Sequence, residues 1–175
     1  SVRDPSVGPV DSDLVEQVLV SGATGWVGTR LVRALLRGLK DDPELTGPQA
    51  ARVRALAPPG DEAGGALEQL GAEVVRGDPL AGGLDPFMDG AAGATLFVAG
   101  GLLHPRLFVR DLFEANVHGT RALLEAAARA GVRRAVVVSA AASVGVAGRD
   151  GELFDEESPC RPTLAHGKNT RAIKV

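Results

Sequence analysis

The stretch VLVSGATGWVGTRLV, Val18–Val32, places three glycines between an apolar run and an amphipathic segment. The run that ends at Gly22 is typical of a strand buried on both faces. From Trp26 onward, apolar residues recur every four positions, which predicts a helix with one apolar stripe. Gly22, Gly25 and Gly28 therefore lie where a strand passes into a helix.

Each of these glycines has a separate role at such a junction. Gly22 permits a tight turn, Gly25 lets the backbone come close to a diphosphate, and Gly28 lets the helix lie against the sheet. The first amides of the helix then face the anion, so no side-chain charge is required. An ordinary glycine-rich turn can share this spacing, but the preceding strand and the following helix favour dinucleotide binding.

The rest of the chain alternates strands with helices. Further strands are predicted at RVRALAP, AEVVRGD, ATLFVAGG and RRAVVVSA, a short helix at DEAGGALEQLG, a long helix over about residues 106–130, and a last helix near the C-terminal end. Alternation of this kind requires crossover connections, which build a parallel sheet. The predicted fold is α/β, a Rossmann-like doubly wound parallel sheet with helices on both faces.

Composition limits the classes of partner. The net charge is −3 and the arginines are scattered, so no nucleic-acid partner is expected. No run approaches the roughly 20 apolar residues that cross a bilayer, so no membrane association is expected. The single cysteine, Cys160, excludes an internal disulfide and fits a reducing compartment, which favours the cytoplasm. The three histidines lack short ligand spacing, so no metal site is expected.

Five pieces of the chain carry a resemblance to a known family. They are SGATGWVG at the first turn, GDPL after the third strand, NVHGTRALLEAAARAGVRR on the long helix, VVVSAAASVG at the fifth strand and FDEESPCRP before the last helix. In these pieces the chain resembles the extended and atypical short-chain dehydrogenase/reductase superfamily, in particular its NAD-dependent epimerase/dehydratase-like branch. The resemblance implies a hydride-transfer oxidoreductase or epimerase that acts on a hydroxyl-bearing small molecule, with NAD or NADP as cofactor.

The resemblance also implies which residues bind the cofactor. Asp78 is expected near the adenine, although a turn former or helix cap is the alternative interpretation of this residue. Ala99 and Gly100 are expected to border the ribose and the nicotinamide. The residues implied for the diphosphate turn are Gly22, Thr24, Gly25, Trp26, Val27 and Gly28.

The sequence leaves the choice between NAD and NADP open. An acidic residue at the end of the second strand would bind the ribose hydroxyls of NAD, whereas a nearby arginine would accept the extra phosphate of NADP. The strand ends in RALAPPG, which offers neither group there, and Asp61 and Glu62 follow only later. The absence of a cationic clamp gives a slight preference for NAD.

Members of the superfamily use a tyrosine as proton donor or acceptor, with a lysine four residues later. In LAHGKNTRA those positions hold His166 and Thr170, and the chain contains no tyrosine. The serine position after the fifth strand falls on Ala140, with Ser139 or Ser143 close enough to replace it. Asn116 matches the family asparagine. The candidate catalytic residues are therefore His166, Asn116 and Ser139.

These substitutions support two interpretations. A histidine with a pKa of about 6.5 carries protons near neutral pH without help from a lysine, so His166 can replace the phenol. Alternatively, His166 is a tolerated polar residue at an inactive site. The protein is then a non-catalytic dinucleotide-binding or interaction subunit.

The expected organisation is a flexible leader over residues 1–16 and an NAD(P)-binding Rossmann domain over residues 17–175. Members of the branch normally continue beyond the last helix into a substrate-binding part, which is expected to be missing here. The alternatives are a piece of a longer enzyme, a natural short form, and a degenerate paralogue kept for binding. In a short form, a homodimer or a protein partner would cover the open edge of the sheet.

Overall fold

The computed structural model describes residues 15–102, 109–140 and 153–158. Within these ranges the strands are β1 Val15–Ser21, β2 Ala50–Ala57, β3 Glu73–Arg76, β4 Thr95–Val98 and β5 Arg134–Val137. All neighbouring strands pair in parallel, in the order β3-β2-β1-β4-β5. The order reverses between β1 and β4, which is the position where open α/β sheets bind their ligands.

Helices connect these strands. They are α1 Trp26–Arg37, α2 Ala63–Leu70, α3 Leu84–Met88, α4 Val109–Phe113 and α5 Gly119–Arg129, with a short 3-10 turn at Pro43–Leu45 and a π-helical segment, Glu114–His118, between α4 and α5. In the described ranges, every helix is too short or too polar to cross a membrane.

The central strand β1 buries side chains on both of its faces. Leu19 belongs to an apolar cluster that includes Phe87 of α3 and Leu123 of α5. Its neighbour Val20 points to the other face, because side chains alternate along a strand, and joins a second cluster that includes Val32 of α1. Helices therefore cover both faces of the parallel sheet, which confirms the doubly wound α/β fold.

Helix α1 follows its sequence pattern closely. Val32 and Leu35 are buried against the sheet, as the four-residue apolar period predicts. The helix ends at Arg37, and Gly38 follows with a φ of +74°, a conformation that favours glycine. Leu39, four residues after Leu35 and so next in the apolar period, lies beyond the helix and is exposed.

Three details differ from the sequence-based prediction. β1 begins at Val15, two residues inside the segment assigned to the leader. Helix α3 was not predicted, because it has only five residues and is too short to show a helical period. The predicted long helix is, from Val109 onward, two α-helical parts joined by the π-helical segment.

Candidate functional site

The predicted cofactor residues meet at the carboxyl ends of two adjacent strands. β1 ends at Ser21 and β4 ends at Val98, and these two residues are paired in the sheet. The pairing continues one step further, since the Ala99 amide donates a hydrogen bond to the Ser21 carbonyl at 3.0 Å. Gly22 and Gly100, the next residues of the two segments, are thereby brought side by side.

Gly22 and Gly100 approach each other so closely that neither position has room for a side chain. Gly22 has a φ of +72°, and a Cβ atom on it would lie less than 3.0 Å from Gly100 backbone atoms. A Cβ atom on Gly100 would lie 2.9 Å from the Gly22 Cα. The glycine turn is therefore in direct backbone contact with the segment predicted to border the nicotinamide.

The other two glycines of the turn also meet the geometry that their spacing predicts. The Gly25 amide donates to the Gly22 carbonyl at 3.1 Å, which closes the turn. A Cβ on Gly28 would lie less than 3.0 Å from the Gly22 carbonyl oxygen and from Ala23 Cα. Because Gly28 has no side chain, α1 begins directly against the end of β1. The Thr29 hydroxyl donates to the Ala23 carbonyl at 3.1 Å and holds the first turn of the helix in place.

The amino end of α1 offers a surface for an anion. Its N-cap residue, Gly25, provides no side-chain hydrogen bond, and its first turn contains no acidic residue. Gly25, Trp26 and Val27 are exposed at this end, with 73% of Trp26 accessible. The Arg30 guanidinium lies 4.3 Å from the centre of the Trp26 ring and donates to the Trp26 carbonyl at 3.2 Å. The aromatic ring is thus held beside the turn by Arg30.

Asp61 lies four residues after the end of β2, and the Thr24 hydroxyl of the glycine turn influences its pKa. Its carboxylate accepts a hydrogen bond from the Ala63 amide at 3.0 Å. The Ala63 amide, the nearby Thr24 hydroxyl and the attraction of the Arg76 guanidinium hold the pKa of Asp61 below its ordinary value. The sequence makes Asp61 a candidate for the ribose hydroxyls of NAD but places it too far beyond the second strand.

Asp78 lies after β3 at the same edge of the sheet and forms a turn. Its carboxylate accepts a hydrogen bond from the Leu80 amide at 2.9 Å, and its backbone forms an isolated bridge with Gly82. The residue is exposed. The turn-forming role weighed for Asp78 is therefore present in the structure, and its proposed contact with adenine is compatible with its exposure.

Asn116 is buried in the π-helical segment and binds the backbone of Leu102. Its Oδ1 accepts from the Leu102 amide at 2.8 Å, and its Nδ2 donates to the Leu102 carbonyl at 2.9 Å. Only 6% of Asn116 is exposed. Because Leu102 lies two residues after Gly100, this amide fixes the path of the segment that leaves β4. π-helical turns often occur at functional sites, and here the turn carries a predicted site residue.

Of the remaining candidate residues, Ser139 lies in the described part of the chain and the others do not. Ser139 lies two residues beyond the end of β5 and is exposed. His166, Thr170, Ser143 and Cys160 lie outside the described residues. Within the described ranges, no cluster of three or more His, Cys, Asp or Glu side chains has the arrangement to hold a metal ion.

Comparison with known proteins connects this geometry to a family. The model of the NAD dependent epimerase/dehydratase family matches residues 18–173. Uncharacterized protein y4nL of Sinorhizobium fredii is 40% identical over 154 residues, which cover 87% of this chain and 42% of that protein. A putative dihydroflavonol 4-reductase of Synechocystis is 34% identical over 157 residues, which cover 87% of this chain and 41% of that protein. The chain thus spans about two fifths of the length of these curated relatives.

Solved structures show the same architecture. The crystal structure of gox2253 aligns with a TM-score of 0.69 and 29% identity, and the alignment covers 90% of this chain and 44% of that one. A short-chain dehydrogenase/reductase superfamily protein from Agrobacterium tumefaciens with bound NAD has a TM-score of 0.61 and 26% identity, with coverage of 90% and 42%. UDP-glucose-4-epimerase from Stenotrophomonas maltophila with bound NAD, at 19% identity and a TM-score of 0.65, shares the fold, with coverage of 90% and 45%. The family match and the identity to the curated relatives show that this chain belongs to the NAD dependent epimerase/dehydratase family.

Proposed function

We propose that this chain forms the dinucleotide-binding part of an NAD(P)-dependent oxidoreductase or epimerase that acts on a hydroxyl-bearing small molecule. The observation that carries the proposal is the backbone contact between Gly22 and Gly100 beside the uncapped, exposed start of α1. Family membership and relatives with bound NAD support a nicotinamide dinucleotide as the ligand. Since the chain spans about two fifths of its curated relatives, the reaction of the whole protein is part of the proposal.

The residues at this edge fit such a cofactor. The amides at the start of α1 and the helix dipole suit a diphosphate, and the lack of a Gly25 side chain allows it to approach the backbone. In the proposal, Ala99 and Gly100 border the nicotinamide ribose, and Asp78 lies near the adenine. When bound, the nicotinamide supplies hydride transfer to or from a carbon that bears the hydroxyl group.

For proton transfer we propose His166 as the acid or base. An imidazole exchanges protons near neutral pH, whereas a phenol with a pKa of about 10 needs assistance that Thr170 does not provide. Ser139 follows β5, next to β4 in the sheet, and is the proposed polar support for a substrate oxygen. Asn116 acts in this scheme through Leu102, as a positioning residue.

A non-catalytic dinucleotide-binding subunit is the second candidate. It is favoured by the absence of tyrosine from the chain and by the Thr170 position, where the family pattern has lysine. In the described part of the sheet, β5 is an outer strand and its Val136 and Val137 side chains are 38% and 37% exposed. A second copy of the chain or another protein would cover that edge in this scheme, so it predicts a stable oligomer.

A pair of variants separates the two candidates. An enzyme should exchange hydride between the cofactor and an alcohol or a nucleotide sugar, and His166→Ala should abolish turnover while NADH binding survives. His118→Ala is the matched control, since His118 is exposed on the π-helical segment and has no assigned role. Unchanged turnover in His166→Ala would exclude the histidine mechanism. Higher activity in the double variant His166→Tyr, Thr170→Lys would show that His166 and Thr170 replaced catalytic residues with a loss of activity.

A further inference from the structure

Trp26 leaves a large apolar ring exposed at the amino end of α1. Because 73% of the residue is accessible, packing against the sheet does not account for an indole at this position. The Arg30 guanidinium lies 4.3 Å from the centre of the ring, which is within the range of a cation–π contact. The ring and the guanidinium thus form one exposed unit beside the glycine turn, which we call the Trp26–Arg30 pair.

The pair brings the charge of Arg30 back to the first residue of α1. Arg30 follows Trp26 by four residues, which is about one helical turn, and the side chains of a helix lean toward its amino end. Its Nη1 donates to the Trp26 carbonyl at 3.2 Å. The hydrogen bond and the contact with the ring hold the guanidinium at the level of Trp26, directly after the Gly25 N-cap.

A cation at the amino end of a helix is unfavourable unless an anion joins it. The helix dipole is positive at this end and repels the guanidinium, and the first turn of α1 contains no acidic residue. In the part of the chain that the structure describes, the ion pairs are those of Arg54, Arg76 and Arg110, and no carboxylate pairs with Arg30. The charge of Arg30 therefore suits an anion that a ligand supplies.

We propose that Arg30, positioned by Trp26, adds a side-chain charge to the helix amides that bind the diphosphate of the cofactor. The proposal rests on the proposed function, because it requires a dinucleotide at the glycine turn. The glycine spacing requires no such charge, so Arg30 is a binding residue beyond those that the spacing predicts. Trp26 is a positioning residue in this scheme, since it acts through Arg30.

The first test compares NADH dissociation constants, measured by calorimetry at about 0.01 M and about 0.15 M ionic strength, where the Debye length is about 30 Å and about 8 Å. Arg30→Gln should raise the dissociation constant at least about threefold at the lower ionic strength, and by a smaller factor at the higher one, where salt screens the attraction.

Arg33→Gln is the matched control for this test. It removes the same charge from an exposed arginine that lies about 4.5 Å further along α1. At both ionic strengths it should raise the NADH dissociation constant by a smaller factor than Arg30→Gln does. Equal effects of the two variants would overturn the proposal, because the net charge of the protein would then explain them.

A double-mutant cycle tests the positioning role of Trp26. Trp26→Leu removes the ring that holds the guanidinium and should also weaken NADH binding. The double variant Trp26→Leu, Arg30→Gln should bind NADH within about 1.5-fold of Arg30→Gln alone, because the two residues act as a unit. Losses that multiply in the double variant, or unchanged binding in Trp26→Leu, would overturn the positioning role.

ADP-ribose identifies the part of the cofactor that Arg30 attracts. This ligand keeps the diphosphate and lacks the nicotinamide, so Arg30→Gln should weaken its binding by the same factor as that of NADH. A loss confined to NADH would overturn the assignment to the diphosphate.

The outcomes distinguish this inference from the proposed function. NADH binding that Arg30→Gln leaves unchanged would overturn the role of Arg30 alone. Failure of the folded wild-type protein to bind NADH and ADP-ribose, with folding checked by circular dichroism, would overturn the proposed function and this inference together.

Discussion

Gly22 and Gly100 lie in backbone contact, so that a Cβ atom on either residue would overlap the other strand's continuation. The contact joins the turn after β1 to the segment after β4 at the point where the strand order reverses. The proposed cofactor site therefore lies where the backbones of these two segments meet.

Gly22→Ala should destabilise the protein strongly. The substitution combines a left-handed φ with a steric overlap, which together cost about 2–5 kcal/mol. Urea unfolding measures the change in the free energy of unfolding. Gly65→Ala is the matched control: Gly65 lies in α2, and a Cβ there meets nothing within 4 Å, so alanine should stabilise by about 0.5–1 kcal/mol. Equal effects of the two variants would contradict the close contact.

Gly25→Ala should weaken NADH binding with little effect on the stability of the fold. Gly25 has a φ of −74°, which any residue adopts, and its Cβ would lie 3.3 Å from the Gly22 carbonyl oxygen. We expect a loss of at most about 1 kcal/mol in unfolding free energy. The added methyl group should keep the diphosphate away from the backbone and raise the NADH dissociation constant at least about tenfold. Unchanged NADH affinity in this variant would place the diphosphate elsewhere.

Asn116→Ala should loosen the segment that leaves β4. It removes both hydrogen bonds to Leu102 and leaves the Leu102 amide and carbonyl without a protein partner. The free energy of unfolding should fall by about 1–3 kcal/mol. NADH affinity should also fall, since Gly100 lies two residues away. Loss of turnover with stability and NADH affinity intact would instead assign Asn116 a direct catalytic role.

Asn116→Asp should also destabilise the protein, by an amount that depends on pH. One carboxylate oxygen would face the Leu102 carbonyl, so the protonated acid, which can donate there, is favoured in the folded state and the aspartate pKa is raised. The variant should be closest to wild type below the unfolded-state pKa of about 3.9 and lose stability as pH rises through the folded-state value. Unfolding midpoints across pH measure this trend, and a constant difference from wild type would contradict it.

Asp61 should show the opposite dependence in the wild-type protein. The Ala63 amide and the Thr24 hydroxyl lower its pKa in the folded state, so its stabilising effect is present above the unfolded-state value of about 3.9. That effect is lost as pH falls through the lower folded-state value. The difference in unfolding midpoint between wild type and Asp61→Asn should therefore be steady near neutral pH and shrink in acid. A difference that grows in acid would reverse the assigned sign.

The sequence predicted the sheet and the glycine turn because both depend on local patterns. The apolar run into Gly22 and the apolar stripe of α1 show their periods directly, and the structure confirms both elements. Helix α3 could not be found this way, since its five residues include Pro86 and its buried Phe87 is explained only by the cluster it joins.

The sequence predicted the site residues that lie at strand ends. It did not predict contacts between residues that are distant in the chain. Ala99 and Gly100 meet the turn because β4 pairs with β1, as the parallel architecture requires. The effect of Thr24 on the pKa of Asp61 joins residues far apart in the chain, through a turn whose direction a sequence does not specify. The hydrogen bonds of Asn116 likewise depend on a π-helical turn, which has no sequence signature of its own.

Fluorescence of Trp26 during NADH titration tests the central claim most directly, because Trp26 is the one tryptophan in the chain and lies at the start of α1. A dinucleotide at this turn should quench Trp26 emission in a saturable way and sensitise NADH emission by energy transfer. In Trp26→Phe, that transfer should vanish while calorimetry still detects binding. Unchanged Trp26 emission at NADH concentrations that saturate the calorimetric signal, or no binding to the folded protein at all, would contradict the account.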